Sequence, residues 1–140
     1  MHTTDFNFEK DTFKVIQLTD MHLVKLDGGG PEQQTLDMIE RMQAAEQPDL
    51  FVITGDLLWS SDENEKNLSI FCDFMDRLGT PWAFVFGNHD HQYVDGVDID
   101  PVGQGKVKEH LLGLYQKYGK GYCLAYDADP SLHGVGTHNL

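Results

Sequence analysis

Apolar residues in this 140-residue chain fall into short continuous runs separated by stripes at helical spacing. Phe13-Lys14-Val15-Ile16-Gln17-Leu18-Thr19 reads as a strand that ends at Asp20. Past a Gly28-Gly29-Gly30-Pro31 breaker, Leu36, Ile39 and Met42 recur with helical period up to Ala45. Leu50-Phe51-Val52-Ile53-Thr54 is a second strand, continuously apolar and ending at Gly55-Asp56. A polar stretch from Ser60 to Asn67 leads into a helix whose stripe is Leu68, Phe71, Cys72, Met75 and Leu78. Gly79 and Pro81 supply its stop signals. Trp82-Ala83-Phe84-Val85-Phe86 is a third strand and runs straight into Gly87-Asn88-His89-Asp90. A loop is expected from His91 to Gly105, then a helix presenting Val107, Leu111, Leu114, Tyr115 and Tyr118 on one face. Tyr122 to Tyr126 reads as a fourth strand, and Val135 opens a fifth.

Strands alternating with helices imply βαβ crossovers, so the fold class is α/β with a sheet that is at least partly parallel. Strands buried on both faces are continuously apolar, as Leu50–Ile53 and Trp82–Phe86 are. In such a sheet the carboxyl ends of the strands gather at one edge, where ligands bind. The first strand delivers Asp20 and His22 there, the second Asp56, and the third Asn88, His89 and Asp90. Residues two apart in extended backbone point to the same side, which would let Asp20 and His22 reach one ion. Each of these residues alone is more commonly a turn or cap residue. Three strand ends carrying ligand types together point to a metal site of oxygen and imidazole donors, suited to Mn, Fe or Zn.

Charge narrows the partners. Ten Lys and Arg against 23 Asp and Glu leave a net charge of −13. Nucleic-acid backbone binding is not expected from such a chain, nor is an anionic membrane surface. No apolar run approaches the roughly 18–20 residues of a membrane span, and the first ten residues do not resemble a signal peptide, so the expected location is cytoplasmic. Cys72 and Cys123 form no CxxC pair and read as buried free thiols. A flavodoxin-like module would need a phosphate-cradling glycine loop after the first strand, and Gly28-Gly29-Gly30 comes too late for that.

Asp20-Met21-His22, Gly55-Asp56 and Gly87-Asn88-His89-Asp90, in that order and each at a strand end, resemble the three N-terminal motifs of the calcineurin-like metallophosphoesterases. The flanking text is most similar to their purple-acid-phosphatase-like phosphohydrolase branch. The resemblance implies a phosphatase or phosphodiesterase that acts on a phosphoester substrate with two metal ions, Mn, Fe or Zn. It implies that Asp20 and His22 hold one metal, Asp56 bridges two, and Asn88 holds the second. His89 would meet the substrate phosphate, beside Asn88, and Asp90 would orient His89. The family's later histidine motifs, in which Gly precedes His, have no counterpart after Asp90; His133 and His138 are the late pair here. The chain is therefore expected to form a single, partial domain over residues 1–140, the βαβαβ-containing N-terminal portion of a four-layer αββα sandwich. Two further expectations follow: a sheet face left open to self-association, and an alternative in which the chain is a metal-binding or partner-binding remnant without turnover.

Overall fold

A computed structural model describes residues 11–59, 63–94, 97–98, 100–119, 121–125 and 134–135. Three parallel strands, β1 (Val15–Leu18), β2 (Leu50–Ile53) and β3 (Trp82–Phe84), lie in the order β1-β2-β3. Val15 pairs with Leu50 and Phe51 with Trp82, so the three strands end nearly level. Helices α1 (Gly30–Glu46) and α2 (Asn64–Leu78) make the two crossovers. The α/β class and the parallel sheet are as the apolar pattern predicts.

Element boundaries differ from the sequence reading for local reasons. The Gly-Pro segment is the start of α1, because Pro31 sits at the helix N-terminus, where its missing N–H costs nothing. Helix α2 begins four residues before its apolar stripe and ends at Gly79, whose φ of 71° is the left-handed cap that glycine favours. The expected loop from His91 to Gly105 instead holds a short antiparallel pair, β4 (Tyr93–Val94) and β5 (Val97–Asp98), and the first turn of α3 (Pro101–Tyr118). Asp100 caps α3 by accepting from the Gly103 N–H at 2.7 Å. The fourth strand reduces to one parallel bridge from Cys123 to Trp82; Tyr126 and the continuation of the fifth strand past Val135 lie outside the described residues.

One face of the sheet carries the main core. Ile16, Leu18, Phe51, Ile53, Trp82 and Phe84 pack with Leu36 and Ile39 of α1, the α2 stripe, and Leu111, Leu114 and Tyr115 of α3. Aromatic rings anchor it: Tyr115 stacks on Phe84 with centroids 3.7 Å apart, and Phe71 meets Trp82 edge-on at 5.7 Å. The alternate residues form a smaller cluster of Leu50, Val52, Ala83 and Leu124, with Val15 and Val85 exposed beside it. No helix among the described residues is long and apolar enough to cross a membrane.

A buried polar clamp sets the segment that follows the first motif. Asn67 of α2 has no exposed surface; its Oδ1 accepts from the Leu26 N–H at 2.8 Å and its Nδ2 donates to the Val24 carbonyl at 2.7 Å. Truncating it removes the partner of both groups and leaves the Leu26 N–H without its acceptor in a buried place. Asn67→Ala is expected to cost about 2–3 kcal/mol in urea denaturation; a loss within experimental error of zero would remove this clamp from the account.

Candidate metal centre

Beyond the sheet, the chains leaving β1 and β2 stay paired in parallel. Asp20 N–H donates to the Gly55 carbonyl at 3.2 Å, His22 N–H to that of Asp56 at 3.0 Å, and Leu23 N–H to that of Leu57 at 2.9 Å. A bridge between Leu23 and Leu58 ends the run, and the Trp59 N–H returns to the Leu23 carbonyl. The first two motifs are thereby locked in register. The extended backbone expected at Asp20 and His22 is not what joins their side chains. Asp20, His22 and Asp56 have φ values of 52°, 48° and 53°, in the left-handed region that few non-glycine residues occupy. Such conformations cluster at functional sites.

The pairing brings Asp20, His22 and Asp56 together, with one ligand atom from each within 4.8 Å of the others. His22 Nε2 lies 3.8 Å from Asp20 Oδ1. Asp56 is buried while Asp20 is exposed, so the cluster opens to solvent on the Asp20 side. Among the described residues, no Lys or Arg pairs with either carboxylate. Two carboxylates and an imidazole converging without a basic side chain are a donor set that fits a divalent cation, whose charge would offset their repulsion.

The third motif is built onto the second by close backbone packing. A Cβ on Gly55 would stand 2.8 Å from the Gly87 Cα, and one on Gly87 would fall on the Asp56 carboxylate and backbone nitrogen. Only glycine at both positions allows that approach. The His89 N–H donates to Asp56 Oδ1 at 2.8 Å. Asp90 is nine-tenths or more buried, and its carboxylate takes three backbone donors: Asp56 N at 2.9 Å and Gly87 N at 2.8 Å on Oδ2, and Leu58 N at 2.9 Å on Oδ1. The Asp90 carboxylate thereby staples the second motif to the third. Burial pushes its carboxyl above the usual aspartate range, the three N–H groups pull it part of the way back, and the Asp56 charge pushes it up again.

Asn88, expected to serve both metal and substrate, is exposed, and its Nδ2 donates to Gln92 at 3.2 Å. The His89 imidazole meets the site directly, its centroid 5.0 Å from that of His22. Beside it, His91 is buried against Phe86, and burial lowers its pKa. His133 and His138 lie outside the described residues. Sequence reasoning missed three contributors: Asn67, Trp59 and the backbone role of Asp90. Trp59, to which the sequence reading gives no role, packs on the imidazoles of His22 and His89. The available signal was its place three residues past Asp56, where the apolar run of β2 has already ended.

Comparison with known proteins agrees with this geometry. The family model for calcineurin-like phosphoesterases matches residues 13–136. The chain is similar to "Probable inactive purple acid phosphatase 28" of Arabidopsis thaliana, 31% identical over 90% of this chain and 39% of that protein. It is also similar to a "Probable cyclic nucleotide phosphodiesterase" of Moraxella catarrhalis, 30% identical over 63% of this chain and 31% of that one. The chain thus spans well under half the length of these curated relatives. Among solved structures, the Pseudomonas putida nuclease MPE aligns with 64% of this chain and 44% of its own, at 23% identity and a TM-score of 0.47. A family match over residues 13–136, carrying all three motif segments, places this chain in the calcineurin-like phosphoesterase family.

Proposed function

We propose that the chain carries the N-terminal metal-ligating half of a metal-dependent phosphoester hydrolase, a phosphatase or phosphodiesterase. The observation that carries this reading is the convergence of Asp20, His22 and Asp56 within 4.8 Å at the carboxyl ends of β1 and β2. Asp20 and His22 would hold one ion, Asp56 would be shared between two, and Asn88 would turn from Gln92 to reach the second. Mn, Fe and Zn all suit these donors. Such a pair of cations, when bound, supplies an activated water and neutralises charge on the phosphoryl oxygens.

The remaining work falls to the chain's own side chains. His89, next to His22, faces the phosphoester as a stabiliser of its charge or as proton donor to the leaving oxygen. Asp56 places it through the hydrogen bond from the His89 N–H. Asp90 keeps the backbone of both motifs at fixed separation.

A second reading, metal binding without turnover, is favoured by the word "inactive" in the names of similar Arabidopsis thaliana proteins. Hydrolysis of p-nitrophenyl phosphate and bis(p-nitrophenyl) phosphate separates the two. Turnover is expected with added Mn²⁺, lost with chelator, and lost in Asp56→Ala and His89→Ala. Turnover indifferent to chelator and to both substitutions would sink the metal reading; Mn²⁺ bound without turnover would leave the second one standing.

A further inference from the structure

We infer that Trp59 is a positioning residue of this site, the wall against which the imidazoles of His22 and His89 are both set. The inference rests on the reading of these histidines as metal-facing and phosphate-facing groups. Three ring centroids make a nearly equilateral triangle: 4.5 Å from Trp59 to His89, 5.0 Å from Trp59 to His22, and 5.0 Å between the histidines. The indole and the His89 ring are almost parallel, 17° apart, whereas His22 meets the indole at 51°. Imidazoles on opposite faces of the indole would be nearly twice as far from each other. Both therefore lie to the same side of it.

The wall itself is fixed by the backbone that fixes the ligands. The Trp59 N–H is bonded to the Leu23 carbonyl, and the preceding Leu58 N–H to Asp90 Oδ1. Indole and ligands thus hang from the same paired segments. Trp59 is 42% exposed and stands outside the main core cluster, so packing in the core does not account for its placement. A ring with two torsions is a stiff support that loses little conformational freedom on being held. Stacking restricts rotation of His89 and blocks one side of His22. A displacement near 1 Å in such groups is enough to cost about a hundredfold in rate.

The test compares wild type with Trp59→Ala and Trp59→Phe. Thermal denaturation, calorimetric titration with Zn²⁺, and the ring ¹H–¹³C signals of His22 and His89 in the metal-free protein are measured on each. Trp59→Ala is expected to melt close to wild type, to bind Zn²⁺ about tenfold more weakly, and to shift both imidazole signals as the ring current of the indole is lost. Trp59→Phe, which keeps a flat face, is expected to recover most of the Zn²⁺ affinity. Where p-nitrophenyl phosphate is turned over, the loss in Trp59→Ala should fall on kcat more than on KM. Unchanged Zn²⁺ affinity in Trp59→Ala, or no recovery in Trp59→Phe, overturns the inference. Wild type that binds no Zn²⁺ refutes the metal reading instead, and the imidazole signals then decide: shifted in Trp59→Ala they support the wall, unmoved they overturn it.

Discussion

Replacing Gly87 with alanine is expected to destabilise the protein by about 3 kcal/mol and to abolish binding of a divalent cation. The added Cβ would land on the carboxylate and the backbone nitrogen of Asp56. Asp56 has no easy retreat. Its N–H is held by Asp90 Oδ2, the same oxygen that holds the Gly87 N–H, and its Oδ1 accepts from His89. On the other side of the contact, Gly55 has a φ of 110° and a backbone only just clear of Gly87. Separating the two segments therefore costs packing and hydrogen bonds and displaces a proposed ligand in one step. Gly105→Ala is the control: it lies within α3 with open space where a Cβ would go, and it should be neutral or stabilising by about 0.5–1 kcal/mol. Urea denaturation and Mn²⁺ calorimetry of both variants check the contrast. A Gly87→Ala protein that is stable and binds Mn²⁺ would show that the two motifs do not need this approach.

Asp90→Ala is expected to cost about 3–5 kcal/mol, a large share of a typical domain's stability. Three backbone N–H groups lose their acceptor at once, and each lies where water has poor access. Asp90→Asn should cost much less in metal-free protein. Burial raises this carboxyl's pKa in the fold, so the folded state holds the proton more tightly than the unfolded chain does. By linkage, the contribution of Asp90 to stability is fullest below the unfolded aspartate pKa, near 3.9, and declines as pH rises through the folded value. Asparagine resembles the protonated form. Denaturant melts across that acidic range, with chelator present, should show wild type losing stability relative to Asp90→Asn as pH increases. The opposite slope would mean that the three donors, which favour the carboxylate, outweigh the burial that favours the acid.

The sheet and the site edge were legible because parallel strands write themselves as unbroken apolar runs. Leu50–Ile53, all but the half-buried Val52, and Trp82–Phe84 are buried in that way, and Asp20, Asp56 and His89 follow the strand ends. The hairpin β4–β5 was not legible, since two-residue strands carry too few positions to show a period. The start of α3 was hidden by Pro101, Gly103 and Gly105, residues that usually break helices, although Asp100 was there as a cap. Within the site, residue types pointed to the ligands, but the means of joining them did not show. Left-handed backbone at Asp20 and His22 does what extended backbone was expected to do. The bonds that occupy Asp90 go to main-chain groups, which no side-chain pattern reports. Trp59 was not legible as a site residue because partial exposure cannot be read from residue type.

Those left-handed residues set fold against function. Holding a non-glycine residue there costs about 1–2 kcal/mol, and glycine would take the same geometry with little penalty. Of the four non-glycine residues held there among the described residues, three, Asp20, His22 and Asp56, belong to the triad, and the fourth, Gln47, caps α1. A library of variants sorted only for heat resistance would be drawn toward losing the triad, one residue after another. Engineering this protein for robustness would have to screen for cation binding at every round, because three of these four positions lie in the site.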